Sequence, residues 1–225
     1  MELRIKPKKL VLILLLITLV LFILNLFSCV PVFLGNKYPF GSFNFDYENN
    51  IPTLYSTFLI MCTAFLASLI ACSKRENRML FWQWLIISAA FIFIGVDESI
   101  SIHEGFTEPL RNVLNTGSFF YYAWVIPYAA IVIIVILIYL PFFFKLPLDT
   151  KVCIIISAML YVAGAIGMEL IGGAWYELHG KDSIFFILAS IEETLEMLGM
   201  IGFIYTFSSY IDRYIKNFNL RITSQ

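Results

Sequence analysis

The sequence predicts an all-α bundle of membrane-spanning helices, and three observations carry that reading. The chain of 225 residues is 60% hydrophobic and only 14% charged, whereas a soluble domain is about half apolar and about a quarter charged. The excess sits in blocks, several of them as long as the roughly 20 residues that cross a bilayer as a helix. A block such as AAIVIIVILIYL (129–140) also lacks the apolar/polar alternation that a membrane-barrel strand requires.

Six spans follow in order, at about 10–28, 53–72, 79–97, 121–144, 153–175 and 183–207. What remains is short loops and two tails, so residues 1–225 read as a single transmembrane domain. The first span has a second reading. MELRIKPKK before an apolar stretch has the layout of a signal peptide, and LFSC (26–29) resembles a lipoprotein cleavage box. Phe27 is bulky for that box and the stretch is long for a signal core, so a retained helix is expected.

The third span, MLFWQWLIISAAFIFI, runs straight into GVDESISIHEG (95–105). Asp97, Glu98, His103 and Glu104 therefore stand together at its end. On a regular helix Asp97, Ser101 and Glu104 share a face, and His103 and Glu98 point elsewhere. Gly105 and Pro109 should break the helix. Thr107-Glu108-Pro109 looks like the start of a short interfacial helix near 107–114.

The fifth span carries a lone Glu169 among small residues. Ala163 and Gly167 have the small-xxx-small spacing that lets helices approach closely. The sixth span carries Glu192, Glu193 and Glu196. Glu193 is about ten residues from its outer end, roughly 15 Å deep at 1.5 Å per residue. A charge facing lipid there costs at least about 2.5–3.5 kcal/mol. The i,i+3 and i,i+4 spacings let one face present all three carboxyls to the bundle interior.

Orientation follows from charge. With both termini inside, twelve Lys and Arg lie on inner segments and three on outer ones, as positive-inside topology demands. The acids divide four inside against twelve outside, which leaves the inner side +8 and the outer side −9. Trp82, Trp84, Trp124 and Trp175 fall near span ends, where interfacial aromatics belong. An inner (cell) membrane location is expected.

The function expected from this pattern is a buried site of Asp97, Glu98, His103, Glu104, Glu169, Glu192, Glu193 and Glu196, open to the outer side. Intramembrane acids mark ion and proton pathways, so cation or proton binding for transport is the first reading. A membrane-embedded, metal-dependent hydrolase acting on a lipid or an extracytoplasmic substrate is the second. Carboxylate and His ligands would suit a divalent Zn, Mn or Fe ion, although no ExxH pair of the di-iron type is present. A structural or sensory subunit is the third. The expected partners are the lipid bilayer and cations or protons. No basic stripe suggests nucleic acid, and no Walker, dinucleotide or GxSxG motif occurs. His179, in a polar loop, is expected to be solvated. Cys29, Cys62, Cys72 and Cys153 form no CxxC pair and read as buried reduced thiols.

Overall fold

The computed structural model describes residues 6–36 and 38–215, so Glu2, Arg4, Lys37, Lys216 and Arg221 of the charge count lie outside the described residues. The described residues form helices and no strand. Helix α1 spans Pro7–Phe33, α2 Ile51–Ser73, α3 Arg78–Ile100, α4 (a single turn) Ile102–Gly105 and α5 Thr107–Leu114. A 3₁₀ turn, Ser118–Phe120, leads to α6, Val125–Phe143. Helix α7, Leu148–Val162, continues through a π-helical turn, Ala163–Met168, into α8, Glu169–His179, and α9 is Ser183–Tyr214.

Local chemistry sets the starts. Pro7 opens α1, where a missing N–H costs nothing. Asn50 and Asn77 cap α2 and α3 by accepting the Thr53 and Leu80 amides at 3.0 and 3.2 Å. Asp182 caps α9 through the Phe185 amide at 2.9 Å and also accepts Trp175 Nε1 at 2.8 Å. The short helix expected near 107–114 is α5.

Five helical segments are long and apolar enough to cross a membrane: α1, α2, α3, α6 and the continuous Leu148–His179 segment. Helix α9 has 32 residues, about 48 Å of length, but its glutamates separate it from the other five in composition. Apolar side chains cover the outside. Between Val125 and Phe142 no residue of α6 is buried, and Ile133, Ile136, Leu137 and Ile138 are all more than half exposed.

Helix α9 is the axis of the bundle, with α1, α2, α7, the π turn and α8 packed around it. Helices α2 and α3 form an antiparallel pair, tied where Ser88 Oγ donates to the Ala64 carbonyl at 2.8 Å. Below the middle, α9 packs through aromatic rings. Trp84 is 1% exposed, with ring centroids 5.6 Å from Phe142, 5.3 Å from Phe207 and 5.4 Å from Tyr210. Phe91 meets Phe203 at 5.2 Å.

The tryptophans thus divide differently from expectation. Trp82 is half exposed, as an interfacial residue should be, but Trp84, two residues further round α3, turns into the core. Trp124 is buried as well. The close approach of α7 to α9 runs through Gly164 and Gly199 rather than Ala163 and Gly167. A Cβ on Gly164 would lie 2.7 Å from Glu196 Cγ, and one on Gly199 2.7 Å from the Tyr161 amide nitrogen. Ala163 is exposed. The π turn adds a residue to the helical repeat, which rotates the small-residue stripe away from its α-helical phase. Among the thiols, all four free, Cys29 is buried but Cys72 is exposed at the end of α2.

Candidate functional site

A cavity of about 790 Å³ opens inside the bundle, in the half that holds the end of α3 and the start of α6. Its walls come from α3, α6, α7 with its π turn, α8 and α9, and the α1–α2 loop and α4 cover it at that end. All eight side chains singled out from the sequence line it: Asp97, Glu98, His103, Glu104, Glu169, Glu192, Glu193 and Glu196.

The rim is built by a chain reversal. Helix α3 stops at Ile100 because Ser101 takes a left-handed conformation, φ 51°, uncommon for a residue with a side chain. The chain turns back through α4, and His103 meets Asp97. The His103 amide donates to Asp97 Oδ1 at 3.0 Å and Nδ1 lies 2.9 Å from Oδ2. Tyr128 of α6 donates its hydroxyl to Oδ1 at 3.2 Å. The expectation that His103 points away from Asp97 is therefore corrected: it assumed a regular helix through 104, and the break comes at Ser101. Burial disfavours a charged His103, but hydrogen bonding and charge attraction from Asp97, with Glu169 and Glu104 nearby, overcome that and raise its pKa.

The side wall and floor connect to this rim through Trp124. Its ring centroid is 4.5 Å from that of His103, and its Nε1 donates to Glu169 Oε1 at 3.0 Å. Glu169 begins α8 just after the π turn and hydrogen-bonds to Glu192 of α9. Two carboxyls can share a hydrogen bond only with a proton on one of them. Glu193 and Glu196 line the floor. Neither makes a hydrogen bond or an ion pair among the described residues.

Sequence reasoning missed a fourth contributor, the loop between α1 and α2. Asp46 and Glu48 line the cavity from above. The loop is drawn inward by Asn25, fully buried on α1, whose Oδ1 accepts the Phe45 amide at 2.9 Å while Nδ2 donates to Ser190 of α9 at 2.7 Å. The motif FDYEN carried the signal as acids in an outer loop, but its docking depends on this one distant asparagine. Burial raises the pKa of Glu48, and the charge of Glu104 adds to it. Burial also raises that of Asp46, against the attraction of Lys181, whose Nζ lies 2.6 Å from Asp46 Oδ2. Tyr122, Tyr128, Tyr161 and Trp124 complete the lining with aromatic surface.

Two other ionisable side chains, Arg111 and His179, are not among the residues lining the cavity. Arg111 lies over the Tyr121 ring at 4.5 Å, away from the carboxyls. His179 is exposed, as expected, and stacks on Trp175 with centroids 4.0 Å apart. Donor chemistry for a divalent cation is abundant in the cavity, yet among the described residues no three His, Cys, Asp or Glu side chains converge closely enough to hold a metal ion as they stand.

Among the described residues the cavity thus holds nine carboxylic side chains against two basic ones, Lys181 and His103, each already facing an aspartate. Such a site can accept protons, bind a cation, or orient a histidine as an acid or base. A family described as "Domain of unknown function (DUF8692)" matches residues 9–211. No curated protein and no solved structure matches the chain.

Proposed function

The chain belongs to the DUF8692 family, and we propose that it is a multi-pass membrane protein whose acidic cavity takes up a cation or protons from the outer side for transport. In this reading it crosses the cell (inner) membrane six times, α9 being the sixth span, with both termini inside. The charge division between loops supports that topology. One observation carries the function: nine carboxyls line one cavity in which, among the described residues, the only basic side chains are already paired. Carboxylates gathered at membrane depth require protons or a cation as counter-charge.

Access is from outside in this conformation. The rim residues Asp46, Glu48 and Glu104 belong to outer connections, while Trp84, Phe91, Phe203 and Phe207 pack the inner half. Transport requires those rings to part, as alternating access would allow. Elemental analysis of protein purified without chelator or nickel, together with cation-driven proton flux in liposomes, tests the reading. Stoichiometric bound metal or flux that disappears in Glu193→Gln supports it. Absence of both in the wild type rejects it.

A second reading, a membrane-embedded hydrolase, has its own observation. Asp97 holds His103 through Nδ1, so Nε2 is the ring nitrogen left to take a proton from water. If a Zn, Mn or Fe ion participates, side chains would have to move to hold it, with Glu193 and Glu196 among the carboxylates free to do so, and the metal would supply Lewis-acid activation of water. Turnover of a lipid ester or amide that falls in His103→Ala separates this reading from transport.

A further inference from the structure

The geometry points to an amphipathic organic cation as the cavity's ligand: an ammonium head seated among Glu193, Glu196 and the aromatic rings, with an apolar tail lying between α3 and α6. This rests on the cation-binding reading above and narrows it to a ligand class. Three independent features of the cavity carry it.

The first is size and lining. About 790 Å³ falls within the roughly 300–1,000 Å³ of small-molecule sites. A bare metal ion, held by oxygens at about 2.0–2.6 Å, needs a small fraction of that. The described carboxylates are also spread around the walls rather than gathered into a metal-sized cluster.

The second is the kind of polar group. Tyr122, Trp124, Tyr128 and Tyr161 line the same space as the acids. Aromatic faces with anionic neighbours are the standard chemistry for recognising ammonium groups, since ring quadrupoles attract a weakly hydrated cation. Glu193 and Glu196 stand on the floor with no hydrogen bond or ion pair of their own among the described residues. They are free to meet an incoming charge.

The third is a side opening. Phe93 of α3 and Ile131, Val135 and Ile136 of α6 line the cavity. The same four side chains remain 54%, 56%, 45% and 56% exposed. Helix α6 stands off its neighbours over this stretch, with no buried residue between its two ends. Phe93 lies one turn below Asp97, and Ile136 about 16 Å along α6 from Val125. The gap therefore faces hydrocarbon, not headgroups. A site for a hydrated inorganic ion has no use for an apolar side door. An alkyl tail attached to a cation does.

The test uses the full chain in lipid nanodiscs and three probes: dodecyltrimethylammonium, tetramethylammonium (head without tail) and dodecanol (tail without charge). Equilibrium binding is measured with empty discs subtracted. The proposal expects saturable, one-to-one binding of dodecyltrimethylammonium at least about tenfold tighter than either fragment, weakened at least about tenfold in Glu193→Gln/Glu196→Gln. Val135→Trp, which fills the gap, should slow association of the long probe and leave tetramethylammonium unchanged. The tail comparison on wild-type protein decides the matter even if a variant fails to fold. In phosphatidylglycerol discs, displacement of the long probe by added lysophosphatidylcholine but not by lysophosphatidylglycerol would identify a lipid's ammonium head as a natural occupant. No displacement by either would point to a free amphiphile, and both results support the site. Equal affinity for long and short ammonium ions overturns the tail slot while leaving cation binding intact. Absence of saturable ammonium binding from a protein that still binds metal or moves protons through Glu193 overturns the inference alone. Loss of all three activities rejects the underlying function as well.

Discussion

His103 and Asp97 are joined twice, through the histidine amide at 3.0 Å and through Nδ1 at 2.9 Å. They lie six residues apart on either side of a left-handed Ser101, so the pair locks the chain reversal that closes the cavity rim. Breaking it leaves a buried carboxylate short of a charged partner. His103→Ala should lower unfolding free energy in mild detergent by about 1.5–3 kcal/mol, the range for hydrogen bonds to charged groups. Asp97→Asn should cost a comparable amount, and the double variant should cost less than the sum of the two. Additive losses in that cycle would mean that the two residues do not act as a unit.

The rim groups predict a pH trend with a definite sign. The pKa of His103 is raised above its ordinary 6.5. Its stabilising contribution is complete below 6.5 and fades as pH climbs through the raised value. The carboxyls of Glu48 and Asp46 are raised above 4.5 and 3.8. They weaken the fold once pH exceeds those ordinary values, and the cost grows until each raised value is passed. All three act in one direction, so melting temperature should fall between pH 5 and pH 8. Glu48→Gln should flatten the lower part of the curve and His103→Gln the upper part. A melting temperature that rises across this range would contradict the assignment.

Gly164 makes a sharper steric claim. A methyl there would approach the Glu192 carbonyl oxygen at 2.8 Å and Glu196 Cγ at 2.7 Å, so Gly164→Ala must push the π turn away from α9. A loss of about 1–3 kcal/mol is expected from overpacking of this kind, with weaker ligand binding because the floor glutamates move. Gly172 is the control. It lies eight residues on and a Cβ there meets nothing within 4 Å. Gly172→Ala should be neutral or slightly stabilising through the unfolded chain. Equal effects at both positions would mean that helix propensity, not contact, governs the segment.

The parts of this architecture that were legible in the sequence are those set by position along a single helix. Glu192, Glu193 and Glu196 had to face inward because lipid will not solvate them, and Glu169 among small residues had to meet a neighbour. Their common cavity with residues 97–104 follows from that one constraint. What was hidden depends on irregular backbone or long-range bonds. Ser101 leaves the α-helical region without a glycine to announce it, so the face assigned to His103 was wrong. The π turn shifted the contact from Ala163 to Gly164. Trp84 and Trp124 sit near span ends where tryptophan favours the interface, and only packing turns them inward. Asp46 and Glu48 lie in a loop, and nothing near them reveals that Asn25, some twenty residues earlier, pins it.

Asn25 therefore provides the last test, because it separates loop docking from packing. It is fully buried, accepts the Phe45 amide and donates to Ser190. Asn25→Leu keeps the volume but leaves the Phe45 N–H without an acceptor, a loss of about 1–3 kcal/mol. The stability change alone would not reveal its role, since any buried polar substitution is costly. Hydrogen exchange does. Amides at 45–48 should exchange at least about tenfold faster, while those of α2 and α3 should keep their protection. Cation affinity should fall with the loop, because Asp46 and Glu48 leave the rim together. If exchange at 45–48 is unchanged while stability drops, the loop is held by its own turn, where Asn50 Nδ2 donates to the Asn44 carbonyl at 2.5 Å. Asn25 would then serve only the contact between α1 and α9.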